Sequence, residues 1–361
     1  MIDSVKIEGF KRFKHQTFDL KRLAVLTGLN GSGKTSVIQA ILLAREALLT
    51  KDDTISLNGP FGLQLGTFDD VLNSASSEKF SIELREVDNH FGARFSQPEK
   101  SAKEFYVQSA KFGTPSQNFA MAGRMFQYLG AERIGPRLTS HLTAIPHEQL
   151  NIGPIGENAA QLIEALGAQQ VIAERQFVQR DAITLLKAET EAWLSALTRP
   201  IQIDTETYPG TPIVTLKYRT EVDWLRPTNM GFGVTYALPI VVAALTAEPG
   251  GILVIENPEA HLAPSGQTQV GIFLTKIAAS GVQVILETHS DHVLNGIRRA
   301  IGELGLLDFT DAIIHFFDFS TDGHTLTFTP TGGVSHWPPG FFDQFQIDVA
   351  ALTRIRRKGA S

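Results

Sequence analysis

The chain has 361 residues, 43% hydrophobic and 19% charged, which excludes a disordered or fibrous protein and allows one large or two modest domains with a real core. It has no cysteine, which excludes disulfides, thiolate metal sites and cysteine nucleophiles. A net charge of -6 argues against a generally basic nucleic-acid binder, and no apolar run reaches the length of about eighteen residues that a membrane span needs.

The chain opens on MIDSVKIEGF, an alternating strand pattern without the apolar stretch of a signal peptide. Together with the missing cysteines and membrane span, this predicts a cytoplasmic protein. Residues 4–8 and 16–20 read as two strands of a hairpin, and residues 23–27 as a buried strand. A glycine-rich turn and a helix over residues 34–49 follow at once. Within that turn Gly28, Gly33, Lys34 and Thr35 fill the pattern G-x-x-x-x-G-K-[ST]. Glycines let the backbone curl so that successive N–H groups point at a phosphate, and the helix N-terminus adds its positive end. Lys34 would then reach the β- and γ-phosphates of ATP, and the Thr35 hydroxyl would take a place on Mg²⁺. Basic clusters stand at Lys11, Arg12 and Lys14 and at Arg354, Arg356, Arg357 and Lys358. Either could touch phosphates, although such groups usually solvate a surface.

Strands are expected at 80–86, 91–96 and 104–110, forming a mixed β lobe beside the phosphate loop. The middle, 113–198, is turn-rich, with helical stretches near 158–180 and 181–197, and too irregular for a coiled-coil arm. Strands near 200–207 and 212–219 return the chain to a sheet. After Thr228 a glycine turn leads into an apolar helix. The strand Ile252–Glu256 follows, wholly apolar until it ends in a carboxylate, then a helix over about 265–279 and a second buried strand in VQVILETHS. A helix at 291–303 and strands at 312–319 and 324–329 precede an aromatic-rich tail. Strands alternating with helices imply parallel pairing, with ligand bound at the carboxyl edge of the sheet. An acid ending an apolar strand downstream of a phosphate loop reads as the Walker B element that orients Mg²⁺ waters. The gap of roughly two hundred residues between the two elements excludes the compact small-kinase layout.

The segments GLNGSGKTS, NMGFG (229–233), IENPEAHLAPSGQ and ETHSDH resemble the ABC-class AAA-family ATPases of the RecF/SMC/OLD type. ENPEAHL and the closing GGVSHWPPGFFDQ further resemble a bacterial subgroup with a C-terminal domain of uncharacterised function. The resemblance covers the first fifty or so residues and nearly everything after Thr228. It implies an α/β P-loop NTPase, an ABC-type ATPase head with an N-terminal mixed β lobe (1–112), a mainly helical insertion (113–198) and a C-terminal lobe (199–361). It implies that Asn30, Gly31, Ser32, Gly33, Lys34, Thr35 and Ser36 hold the triphosphate of ATP. Mg²⁺ would fall to Thr35, Glu256 and Gln64, the last as the glutamine that senses metal and γ-phosphate. Gly231 and Gly233 would belong to a divergent signature motif capping the nucleotide of the opposite subunit. Residues 263–266 would lie at the dimer seam, and His289 would be the switch histidine facing the γ-phosphate or attacking water.

The sequence departs from the class at Glu256-Asn257, where two acids are usual. Asn257 cannot accept a proton. Either Glu259 supplies the catalytic carboxylate and hydrolysis is slow, or ATP serves as a clamp holding a dimer closed. His261 beside these acids invites a metal reading, but one histidine and two glutamates do not make a site. About 70 residues follow His289, too few for the Toprim-type nuclease of OLD proteins, so cleavage would need a separate effector polypeptide. The expected partners are therefore a second copy of the chain (a homodimer or higher even oligomer), a separate effector such as a nuclease, and nucleic acid, with no membrane. The expected function is an Mg²⁺-dependent ATPase coupling nucleotide state to DNA or an effector, in DNA repair or anti-phage defence. The alternative is a nucleotide-gated scaffold or sensor that regulates a separate nuclease or toxin. A gap-loading DNA binder of the RecF kind would want a basic face, which the net charge does not suggest. Trp337, Phe341, Phe342 and Phe345 read as core packing or as a docking patch.

Overall fold

In the computed structural model, residues 1–359 are described apart from 77, 99–103, 179–183, 222 and 321–322; side chains are described up to 355, except those of 117 and 118. Strands β1 (Ser4–Phe10) and β2 (Phe13–Asp19) form the expected hairpin and lead to β3 (Leu23–Gly28). Helix α1 (Lys34–Leu49) has the expected bounds. Then come β4 (Thr54–Ser56), the one-turn helix α2 (Phe68–Val71), β5 (Lys79–Glu86), β6 (Asn89–Ser96) and β7 (Tyr106–Thr114). Six of these strands make one sheet in the order β2-β1-β5-β6-β7-β4, each neighbouring pair antiparallel.

A one-turn helix α3 (Gln117–Ala120) precedes β8 (Phe126–Leu129), inside the segment expected to be a mainly helical insertion. Strand β8 pairs in parallel with a strand of the central sheet, through Phe126 opposite Ile252 and Leu129 opposite Ile255. Beyond β9 (Ser140–His141), helix α4 (Ala159–Leu166) is shorter than expected. The chain turns at Gly167 into the short ladder of β10 (Gln170–Val171) and β11 (Thr184–Leu185) before α5 (Leu186–Leu197). The expected helix ends at 179–183 lie outside the described residues. Strands β12 (Gln202–Thr207), β13 (Ile213–Arg219) and β14 (Trp224–Leu225) join β9 in a small antiparallel sheet of their own.

The last third supplies α6 (Phe232–Thr246), β15 (Ile252–Glu256), α7 (Pro264–Ala279), β16 (Gln283–Glu287), α8 (Asp291–Gly302), β17 (Ala312–Phe317), β18 (His324–Thr327) and a helix in the aromatic tail, α9 (Gln344–Gly359). The core sheet has the order β18-β17-β3-β16-β15-β8. All its pairs are parallel except β18 against β17.

The period-2 alternation of side chains divides this sheet between two cores. Ala24, Leu26, Val254 and Ile285 face α1 and the N-terminal lobe. Leu23, Val25, Leu253, Ile255, Val284 and Leu286 face the helices α4 to α8. Both faces of the central strands are covered, which is why β15 and β16 read as unbroken apolar runs. Their carboxyl ends, Glu256 and Glu287, stand side by side in register. Among the described residues no helix is long and apolar enough to cross a membrane.

Candidate nucleotide site

The turn between β3 and α1 holds three glycines in the left-handed half of backbone space, Gly28 at φ 139°, Gly31 at 73° and Gly33 at 102°. Gly28 lies so close to Phe317 of β17 that a Cβ would overlap that residue's carbonyl oxygen, whereas a Cβ on Gly31 would meet nothing within 4 Å. One wall of the loop is therefore packed against the sheet and the other is open. Lys34 is 4% exposed and donates from Nζ to the carbonyls of Gly28 (3.1 Å) and Leu29 (2.7 Å). Burial lowers its pKa, with Glu287 pulling the other way. Ser32 is buried and donates to the Leu29 carbonyl at 2.6 Å, while Asn30 and Gly31 are exposed on the rim. Arg12 does more than solvate a surface: half-buried, it donates to the carbonyls of Ser32, Asp318 (2.8 Å) and Ser320 (2.6 Å), tying the loop to the end of β17.

The acids below the loop have divided tasks. Glu256 accepts from the Tyr128 hydroxyl at 2.9 Å and from the Ala131 N–H at 3.3 Å. Burial is the main cause of its raised pKa. Glu287 accepts the Thr35 hydroxyl at 3.0 Å through Oε1, while its Oε2 is buried without a hydrogen-bond partner. Burial and then the neighbouring Glu256 push the Glu287 carboxyl up to about 7, against the opposing pull of Thr35 and Lys34. Glu259 has both oxygens engaged, by the Thr288 hydroxyl (2.8 Å) and the His289 N–H (2.7 Å). It braces the turn that presents His289. The His289 ring sits with Nε2 4.0 Å from Glu287 Oε1, and burial, then Lys34, depress its pKa. Asn257 has φ 45° and an unpartnered buried Oδ1. Buried Arg133 donates to the carbonyls of Glu256 and Asn257, offsetting the acids from behind.

Sequence reasoning missed Glu287, although it closes a buried apolar strand as Glu256 does. It also missed Tyr128 and Arg133, on or just after a four-residue strand with no periodic signal. The raised Glu287 pKa has a testable sign. Its carboxyl binds a proton more tightly folded than unfolded, so the stability it contributes is present below the unfolded pKa and lost as pH rises through about 7. Nucleotide-free protein should therefore lose melting temperature between pH 5 and 7.5 (~2 units around this value), and Glu287→Gln should flatten that slope. A slope unchanged by the substitution would place the titration elsewhere.

The remaining expected residues are dispersed. Gly231 caps the start of α6, exposed and with open space around it. Gly233 is engaged differently, since a Cβ there would stand 2.7 Å from the His261 carbonyl oxygen. The His261 ring packs on Tyr236 (4.6 Å between centroids) and Phe232 (5.3 Å), an aromatic cluster. Gln64 is exposed and bridges to Asn58; among the described residues no hydrogen bond joins it to the phosphate loop. The tail closes one side. Thr27, Gly28, His289, Phe342 and Asp343 line a cavity of about 290 Å³. Phe341 is buried against Phe316 and Trp337, whereas Phe345 is 74% exposed. The tail is thus core packing at one end and exposed at the other.

An ATP–magnesium group fits these residues. The open glycine rim leaves room for a phosphate, Lys34 carries a cation that can exchange its loop carbonyls for phosphate oxygens, and the orphaned Glu287 oxygen offers charge to a cation. Hydroxyl and carboxylate oxygens suit a hard cation that takes few protein ligands and completes its shell with phosphates and water. Among the described residues no group of three or more His, Cys, Asp or Glu that could hold a metal occurs.

Residues 23–295 match the family described as "AAA domain, putative AbiEii toxin, Type IV TA system", and residues 307–352 match one described as "Protein of unknown function (DUF3696)". No curated protein matches the chain. Among solved structures it is similar to the SMC head bound to the C-terminal winged-helix domain of ScpA, at 11% identity and a TM-score of 0.54 over 91% of this chain and 97% of that one. It is also similar to an SMC head with an extended coiled coil, bound to the C-terminal domain of ScpA derived from Pyrococcus furiosus. That match has 11% identity and a TM-score of 0.53, over 98% of this chain and 99% of the other. The fold is that of an ABC-type P-loop ATPase head.

Proposed function

The chain belongs to the AAA family described as a putative AbiEii toxin of a type IV toxin–antitoxin system, and from that premise we propose that it is an Mg²⁺-dependent ATPase whose heads dimerise around ATP to control a partner effector. The observation that carries the reading is the glycine turn with Lys34 folded over it and Thr35 bonded to a strand-end carboxylate. Asn30 to Ser36 hold the phosphates, with Lys34 exchanging its loop carbonyls for phosphate oxygens. Thr35 and one of the strand-end carboxylates beneath the loop serve the metal. The chemistry supplied on binding is that of a metal-held phosphoanhydride. His289, presented by Glu259, faces the same pocket. The exposed start of α6 at Gly231 offers a helix N-terminus to the nucleotide of a second copy. The family description, which names a toxin–antitoxin system, supports a partner polypeptide, as do the ScpA segments bound to the similar SMC heads.

A second reading has its own observation. Glu259, expected to supply the missing catalytic carboxylate, has both oxygens bonded to Thr288 and His289. This favours ATP as a clamp with slow or negligible turnover.

The test is light scattering with ATP and Mg²⁺, run beside single-turnover hydrolysis. Wild-type protein should pass from monomer to dimer. Gly231→Trp, at a position with no neighbour to displace, should bind ATP within about twofold of wild type but stay monomeric. Dimers that survive the substitution unaltered would refute the role of α6. Tight binding without turnover would select the clamp.

A further inference from the structure

The geometry points to Glu287, at the tip of β16, as the carboxylate that orients the divalent cation at the phosphate loop, with Glu256 serving as a structural bracket for β8. This deepens the nucleotide reading above and rests on it. Strand order is the first argument. β16 lies between β3 and β15, so Glu287 is paired directly with Leu26 of the strand that runs into the loop. Glu256 is one strand further away.

The second argument is the Thr35 hydroxyl, 3.0 Å from Glu287 Oε1. A hydroxyl whose lone pair turns to a cation keeps its proton for a hydrogen bond, so this contact is compatible with metal binding. The third is Glu287 Oε2, buried and without a partner. An unsatisfied carboxylate oxygen in such a place is costly unless a ligand brings a cation or a donor. Glu256, by contrast, has one oxygen on Tyr128 and the other on Ala131, and would have to abandon both to turn toward the loop. Glu259 is spent on Thr288 and His289. Among the three glutamates only Glu287 combines a bond to the phosphate-loop threonine with a free oxygen. The ligand class is a hard divalent cation delivered with a nucleoside triphosphate.

The experiment measures ATP affinity in Mg²⁺ and in EDTA for wild type, Glu287→Gln, Glu287→Asp and Glu256→Gln, with Mn²⁺ binding followed by its electron paramagnetic signal. In wild type, Mg²⁺ should tighten ATP binding. In Glu287→Gln that tightening should fall by at least about tenfold, the range for losing a group that orients a metal's ligands. Metal-free ATP should bind as well or better, because a negative charge near the phosphates is gone. Glu287→Asp, which keeps the charge but draws back from Thr35, should fall between. Glu256→Gln should keep the wild-type ratio within about threefold. Loss of the metal effect in Glu256→Gln alone, or equally in both glutamine variants, would overturn the assignment. If wild-type protein binds no ATP in either condition, the nucleotide reading itself falls and takes the assignment with it.

Discussion

Lys34→Ala should bind ATP at least about a hundredfold more weakly than wild type, while its melting temperature stays the same or rises slightly. The two halves of that result come from the same surroundings. Without nucleotide the ammonium is 4% exposed, bonded to two loop carbonyls and held at a lowered pKa by burial. A buried cation of this kind adds little to stability, because its desolvation offsets what its bonds return. With nucleotide it faces phosphate charge at contact distance, where about 3–4 kcal/mol is at stake at an effective dielectric near 20, and a hundredfold loss corresponds to about 2.7 kcal/mol. Calorimetric titration with ATP, beside a thermal melt of the same sample, separates the two. Unchanged affinity would refute the phosphate-loop reading. Lost affinity with a collapsed melt would reduce Lys34 to a structural residue.

Gly28→Ala should be the most damaging small substitution in the site. The residue combines φ 139° with a Cβ position that overlaps the Phe317 carbonyl oxygen, and the two residues are partners in the β3–β17 ladder. Strain and overlap together should cost at least about 3 kcal/mol by urea denaturation. Gly31→Ala is the control. It shares the left-handed backbone, at φ 73°, but has open space around it, so only the backbone cost of about 1 kcal/mol applies. Equal, small losses at both positions would mean that β17 does not press on the loop.

The phosphate loop, α1 and the apolar strands were legible because each is specified locally. Leu23, Val25, Ala24 and Leu26 alternate between the two cores, and the glycines lie where the backbone turns. What was not legible depends on contacts far along the chain. Phe126–Leu129 carries no pattern that marks a strand, and only Ile252–Ile255 makes it one. The bonds that engage both Glu259 oxygens go to Thr288 and His289, about thirty residues on. The close approach of the His261 carbonyl to Gly233 is likewise set from further along the chain. The tail helix escaped because its apolar residues, among them Phe345, Leu352 and Ile355, are exposed and pack no buried stripe.

The order of the core sheet also sets a timetable. The Ile2 backbone bonds to the Gln283 side chain across 281 positions, and Leu26 finds its β-partner only at Glu287. During synthesis at about 5–20 residues per second, the phosphate loop leaves the ribosome on the order of tens of seconds before the strand that completes its floor. Until then the loop has neither the acid near its lysine nor Phe317 against Gly28, and the loop closure still to be made is among the longest the chain contains. A truncated or interrupted chain would carry the complete phosphate-loop motif and yet lack the site.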